Sequence, residues 1–236
     1  VESPDPDAQA SDEAFRLALR EFIADRAPAS HFMEGIRVPK DASEEVTIRT
    51  WLAALYEAGY LGAGWPAEWG GQPDHRATRD LILMEELIRA RAYRPLDQVM
   101  LASHAILEFG SLIQKQAYLP RIRSGEHIWC QLFSVPGSGS DVGGLSSRAV
   151  ADGDEWIVNG QKVWTTLAHT SRWGMLIART DPEAPKHRGM TYFLMDMQAD
   201  GVDVRPLIQI TGEAEFNEVF LTDVFVPESH LIGGRH

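Results

Sequence analysis

Gln131-Leu132-Phe133-Ser134-Val135-Pro136-Gly137-Ser138-Gly139-Ser140-Asp141-Val142 decides how this chain reads, together with Asn159-Gly160-Gln161-Lys162-Val163-Trp164-Thr165-Thr166 downstream. The first stretch is a β-prone run that opens into a turn of Gly, Ser and Pro. Such a loop offers backbone N–H groups and hydroxyls to an anion or a polar ring edge. The second carries an Asn-Gly hairpin signal, then an aromatic plane and two hydroxyls. Taken singly, each feature has a plainer reading. A lone Trp164 is more often a core aromatic. Ser134 and Thr166 are more often strand hydroxyls bonded to backbone. Gly137 to Gly139 is more often an ordinary turn. The order and spacing of the two stretches give the pair its weight.

Outward from these motifs the periodicity changes near residue 126. Upstream it is helical. Ser11, Asp12 and Glu13 read as a helix start, followed by a broad apolar face of Phe15, Leu17, Leu19, Phe22 and Ile23. Further helices are expected over 43–56 (closing at Gly59), 78–92, 96–109 (ended by Gly110) and 113–122, with Pro120 bending or shortening the last. The segment 60–72, rich in Gly, Trp and Pro, reads as a loop. Downstream the period falls to two, with strands expected over 128–134, 155–159, 172–179, 190–197 and 218–226. Asp152-Gly153 and Asn159-Gly160 read as hairpin turns, and 181–188 as a polar loop. The fold class is therefore α+β. Residues 1–12 are expected to be a disordered lead-in, 13–125 an α-helical bundle domain, and 126–236 a small antiparallel β-barrel or sandwich. Ile232-Gly233-Gly234-Arg235-His236 has the composition of a linker.

The whole chain sets bounds. Its 236 residues suffice for one large or two small domains, and an apolar share of 44% permits a packed core. A net charge of −12 argues against nucleic-acid binding, which needs a basic face, but leaves room for a local basic patch that holds phosphates. The one cysteine, Cys130, lies in an apolar run and reads as a small buried hydrophobe. No apolar run reaches the length of a membrane span, and a cytoplasmic setting without membrane attachment is the expectation. His75, His169 and His187 lie in polar segments whose spacing suits no metal site.

The two motifs, in this order, resemble the flavin-binding middle domain of the acyl-CoA dehydrogenase family. Gln114-Lys115-Gln116-Ala117-Tyr118-Leu119-Pro120 with Ser124-Gly125-Glu126 is similar to that family's passage from helix to β-domain. Phe220-Leu221-Thr222-Asp223-Val224-Phe225-Val226-Pro227 is similar to its closing strand. The resemblance implies FAD as cofactor, an acyl-CoA substrate, an electron-transfer flavoprotein as electron acceptor, and a homo- or hetero-oligomer. It implies that Ser134 contacts the flavin edge, that Thr166 bonds N5, and that Trp164 packs beside the ring with Thr165 adjoining. Gln131 and Phe133 would lie where strand backbone meets the pyrimidine. Gly139 and Ser140 would touch cofactor and thioester together, glycine allowing close backbone approach. Met100 and His104, on the fourth helix, match the wall of the acyl pocket, although a packed helix face is an equal reading.

Two departures from the family pattern stand out. Val135 occupies a position where the family carries Glu, and Ser138 replaces a small residue that is commonly Ala. The family's catalytic base belongs to a third, helical domain that this sequence does not contain, so no base is assigned. Glu213, Glu215 and Glu218 are the local carboxylates, and they read as loop and strand-edge residues. The expected reaction is α,β-desaturation of an acyl-CoA in fatty-acid or related acyl-chain breakdown, including steroid side chains. Rivals are an acyl-CoA oxidase, a flavin monooxygenase or nitroalkane oxidase on the same scaffold, and a non-catalytic subunit of a heteromeric dehydrogenase. Either the sequence is an incomplete copy of a longer dehydrogenase, the favoured expectation, or the remaining domain comes from a partner chain.

Overall fold

The computed structural model describes residues 6–28, 39, 41–94 and 97–234. Five α-helices are described: α1 (Pro6–Arg26), α2 (Ala42–Glu57), α3 (Ala77–Arg89), α4 (Asp97–Phe109) and α5 (Leu112–Arg123). Eight strands follow: β1 (Trp129–Leu132), β2 (Arg148–Asp152), β3 (Glu155–Thr166), β4 (Trp173–Arg179), β5 (Met190–Asp196), β6 (Val202–Leu207), β7 (Phe216–Pro227) and β8 (Leu231–Ile232). The chain divides into two compact units. Residues 1–96 with 123–126 form one, and 97–122 with 127–236 form the other.

In the first unit, α1 begins at Pro6, so the expected lead-in over 1–12 is corrected from that residue onward; residues 1–5 lie outside the described set. Proline is accepted in a first turn because its missing N–H would have no partner there. Asp41 caps α2, its carboxylate accepting from the backbone N–H groups of Ser43 and Glu44 at 2.9 Å each. The α3 helix stops at Arg89, three residues earlier than its pattern suggests. Arg91 there turns to φ 53°, and the Ala92 N–H bonds back to the Leu87 carbonyl, a left-handed helix end. The core gathers Leu19, Ile48, Trp51, Leu55 and Leu87. Phe22 stacks on Trp51 at 5.9 Å, and the Trp51 indole N–H donates to the Tyr93 carbonyl at 2.9 Å. Glu86 of α3, 1% exposed, accepts hydrogen bonds from Arg16 and Arg20 of α1 and from Arg89.

In the second unit, the sheet order is β6-β7-β3-β2-β4-β5-β8, with β1 pairing on β4. Most pairs are antiparallel, but β1–β4 and the single β2–β4 contact are parallel. The edge strands β6 and β8 do not pair, so the sheet is open and not the closed barrel that was one of the two expected forms. Cys130, Leu132, Trp156, Val158, Leu176, Phe193, Met195, Val219 and Val224 pack its interior. Cys130 is buried and free, and burial pushes its thiol up to about 12. Pro120 lies inside α5 without ending it. The Gln114 side chain on α5 donates to the Ser229 and Leu231 carbonyls at 2.8 and 2.9 Å, pinning the helix to the chain that leads into β8.

The turn at Asp152-Gly153 joins β2 to β3 as expected, with Gly153 at φ 62°. Asn159-Gly160 does not turn the chain back: β3 continues through it to Thr166, with a shift of register against β7 between Val158 and Gly160. Two physical reasons account for this. The Asn159 side chain is engaged across the ladder, its amide donating to Asp223 at 2.9 Å and its oxygen accepting the Asp223 N–H at 3.0 Å. A Cβ at Gly160 would lie 2.7 Å from Ser147 Cα, so glycine serves close strand approach there rather than a hairpin.

Candidate functional site

The first motif leaves the sheet after Leu132. Val135 and Ser138 exchange backbone hydrogen bonds at 3.1 and 3.0 Å, closing a tight turn over Pro136 and Gly137. Gly137 has φ 81°, which a turn with proline at its second position and a left-handed third position requires. The Ser138 hydroxyl donates to the Asp141 carbonyl. Asp141 forms an ion pair with Lys186, whose ammonium holds the carboxyl below its ordinary range. Gly139 and Ser140 at the crest are exposed, and a Cβ built on Gly137 or Gly139 meets no atom within 4 Å. Val135 is 3% exposed. Its side chain packs inward, so the missing carboxylate leaves an apolar anchor in the turn.

The second motif lies on β3 and contains a β-bulge. Lys162 pairs with Val219 and Thr165 with Asn217, so three steps on β3 match two on β7. The extra residue lets Trp164 adopt φ 59°, a left-handed conformation that is costly for a bulky side chain. That geometry turns the indole outward: Trp164 is 62% exposed, with only its edge on Phe216 at 5.9 Å. Backbone strain of this kind persists where surrounding structure over-determines it, and it concentrates at ligand sites. Asn217 helps to enforce it. Its buried amide donates to the Thr165 carbonyl at 2.9 Å, and its oxygen meets His169 Nδ1 at 3.0 Å.

The two motifs meet through their backbones. The Val163 N–H donates to the Ser134 carbonyl at 3.0 Å, and the Lys162 ammonium donates to the Phe133 carbonyl at 3.2 Å. Ser134, Phe133 and Gln131 are half-buried, and Thr166 is half-buried at the end of β3. Thr165 differs from its neighbours. It is 1% exposed, faces the interior, and its hydroxyl has no hydrogen-bond partner. On α4, His104 is exposed and its Nδ1 meets the Met100 carbonyl at 2.8 Å, so the ring is occupied by its own helix, while Met100 is half-buried. Glu218 accepts from Gln161 at 2.9 Å, Glu215 offers its carbonyl to the Leu167 N–H at 2.8 Å, and Glu213 is exposed. Among the described residues, no group of three His, Cys, Asp or Glu side chains is arranged for a metal ion. None of the described helices is long and apolar enough to cross a membrane.

A basic loop was not singled out from sequence. Arg179 of β4 donates to the Gly143 carbonyl at 2.7 Å and to the Lys186 carbonyl at 3.2 Å, folding 181–188 against the Ser138–Gly144 turn. A Cβ on Gly143 would lie 2.7 Å from the His187 ring, so glycine makes room for that imidazole. Lys186, paired with Asp141, and Arg188 thus lie beside the turn in a loop that also carries Asp181 and Glu183, next to a cleft of about 470 Å³ lined by Ala184, Pro185, His187, Arg188, Gly189 and Met190. The run Lys186-His187-Arg188 was the signal available in a chain of net charge −12.

These features suit a flavin: an outward indole face, an open glycine crest, and hydroxyls at the rims of both motifs. Comparison with known proteins identifies the family. Residues 130–224 match the family model described as acyl-CoA dehydrogenase, middle domain, and residues 9–126 match the acyl-CoA dehydrogenase, N-terminal domain. Acyl-CoA dehydrogenase IpdE1 of Mycobacterium tuberculosis is 40% identical over 94% of this chain and 58% of its own length. Acyl-CoA dehydrogenase FadE34 of the same organism is 47% identical over 76% of this chain and 25% of its own length. The solved Tcur3481-Tcur3483 steroid ACAD superposes with a TM-score of 0.84 at 31% identity, covering 100% of this chain and 59% of that one. The chain therefore spans somewhat over half the length of IpdE1 and of that solved protein. On the two domain matches and the 40% identity to IpdE1 over 94% of this sequence, the chain belongs to the acyl-CoA dehydrogenase family.

Proposed function

We propose that the protein carrying this chain is an FAD-dependent acyl-CoA dehydrogenase that desaturates an acyl-CoA at the α,β position. The observation that carries this reading is the joined pair of motifs, with Ser134 bonded to Val163 one residue before the strained, outward Trp164. When bound, the flavin would accept the hydride leaving the β-carbon of the acyl chain. The chain's own residues would bind and shield it. Ser134 and Thr166 offer hydroxyls, Gln131 in β1 and Phe133 just past its end offer backbone, and Trp164 would cover a ring face against water. Gly139 and Ser140 form the open crest where cofactor and thioester would both approach, and Met100 would contribute to the acyl wall with His104 at its rim. Arg188, which lines the cleft beside the turn, offers a cation to the phosphates of CoA, which need local positive charge on so acidic a chain. A bulky, ring-bearing acyl group is the substrate class we favour, since one superposed solved protein is named a steroid ACAD. An electron-transfer flavoprotein would receive the electrons. A heteromeric assembly is also favoured, because two similar solved proteins carry two-component names, Tcur3481-Tcur3483 and the ChsE4-ChsE5 complex of Mycobacterium tuberculosis.

The test is a visible spectrum of the purified protein, as encoded, followed by anaerobic addition of aliphatic and steroid acyl-CoAs. A flavin band bleached by one of them is the expected result. Rapid reoxidation by air would favour an oxidase instead. A protein that stays colourless after added FAD would overturn the catalytic reading and promote the non-catalytic subunit.

Trp164→Ala supplies a narrower check. It should weaken FAD binding about tenfold, the worth of one aromatic face. The unfolding free energy of the flavin-free protein should change by less than about 0.5 kcal/mol, because the indole is largely exposed. Unchanged FAD affinity by fluorescence titration would remove Trp164 from the site.

A further inference from the structure

Lys162 is 0% exposed, and none of the ion pairs among the described residues involves it. Its Nζ donates only to backbone carbonyls, of Ile177 on β4 at 2.8 Å and of Phe133 at 3.2 Å. Burying an ammonium without a carboxylate costs several kcal/mol, and an aliphatic side chain would fill the same space without that penalty. A purely packing role therefore does not account for it.

The topology suggests what it does. Strands β1 and β3 are not neighbours in the ladder: β1 pairs on β4, while β3 lies between β7 and β2. Where the chain leaves β1, two hydrogen bonds cross to β3, from Lys162 to Phe133 and from Val163 to Ser134. They engage consecutive residues on both sides, and the next residue of β3 is the strained Trp164. The second acceptor of Lys162, the Ile177 carbonyl, also takes the Ser147 hydroxyl at 3.4 Å. The ammonium thus stands where β1's exit, β3 and β4 converge.

We infer that Lys162 is a positioning residue for the cofactor site, holding the Phe133–Ser134 backbone in register with the Trp164 bulge through its N–H donors. This rests on the flavin reading above. Without those donors the Phe133 carbonyl loses its buried partner and the β1 exit is held to β3 by one bond instead of two. A displacement of about 1 Å at a cofactor edge is enough to degrade binding and reactivity.

The experiment compares wild type, Lys162→Met and Lys162→Arg in the protein as encoded. FAD affinity is read by fluorescence titration, the bound flavin by its visible absorption bands, and folding by melts of the flavin-free protein. Met matches the length and apolar stem of lysine without the donors, whereas Arg keeps donors. Lys162→Met is expected to fold, to bind FAD about tenfold more weakly, and to hold it with a shifted or broadened visible band. Lys162→Arg should recover part of both. Wild-type affinity and an unchanged band in Lys162→Met would overturn the inference. An insoluble Lys162→Met would assign the lysine to folding and overturn it equally. A colourless wild type fails differently, because it removes the flavin reading itself.

Discussion

Replacing Glu86 with alanine is expected to lower the unfolding free energy by about 3 kcal/mol at pH 7. The carboxylate is 1% exposed and accepts from Arg16 at 2.8 Å, from Arg20 through two nitrogens at 2.9 Å, and from Arg89 at 2.6 Å. It is the anchor that joins α1 to α3. Removing it leaves three guanidinium groups converging on an empty apolar gap. The arginines are themselves partly exposed and can turn to water, which keeps the expected loss at the low end for a broken buried pair. Glu86→Gln keeps the shape but loses the charge, and should cost about half as much. The pH dependence has a definite sign. Hydrogen bonds from Arg20, then from Arg16 and Arg89, outweigh burial and bring the Glu86 carboxyl down to about 2. A depressed carboxyl contributes stability above its unfolded value near 4.5, and that stability is lost as pH falls toward 2. Urea unfolding at pH 7 and at pH 3 should therefore differ more for wild type than for Glu86→Ala. An alanine variant within about 0.5 kcal/mol of wild type at pH 7 would sink the assignment.

The flavin-free protein should gain about 1.5 kcal/mol of stability between pH 7 and pH 8.5, and Lys162→Met should not. Burial brings the Lys162 ammonium down to about 7, against an ordinary value of 10.5. Above pH 7 the folded protein sheds this proton while the unfolded chain keeps it. The unfolded state then binds more protons, so stability rises with pH across this window; below pH 7 both states are charged and the slope vanishes. In this window Cys130 alone among the groups raised by burial begins to oppose folding, by about a few tenths of a kcal/mol as the unfolded thiol ionises near 9.0, and it does so equally in wild type and Lys162→Met. Burial also raises the Tyr56, Tyr93 and Tyr192 phenols, and those oppose folding only when their unfolded forms ionise at higher pH. Denaturant titrations at half-unit steps would measure it. Equal slopes in wild type and Lys162→Met would mean that the lysine does not carry the effect.

The helices were legible because their apolar positions recur at helical spacing, and α2, α4 and α5 lie within two residues of the expected bounds. Strands β4, β5 and β7 were legible for the corresponding reason at period two. Strands β2 and β6 were not. Arg148–Asp152 has one buried residue, and Val202–Leu207 has none, with Arg205 and Pro206 exposed in succession. Such strands are specified by their partners on β3 and β7 more than by their own side chains. Asn159-Gly160 misled for a similar reason: a local turn preference of a few tenths of a kcal/mol yields to a ladder that engages both residues.

The sequence by itself determined the class of fold, the change from helix to strand near residue 126, the family, and the two stretches that make the candidate site. Those depend on spacing along the chain, which one dimension records. Only the tertiary structure decided that Thr165 turns inward while Trp164 turns out, that Lys162 is buried against two carbonyls, that 186–188 lies beside the 138–144 turn, and that Glu86 gathers arginines from a helix some 70 residues away. The physical reason is common to all four. A one-residue bulge inverts which side chain faces solvent, and the environment of a charge is set by what packs around it from distant parts of the chain.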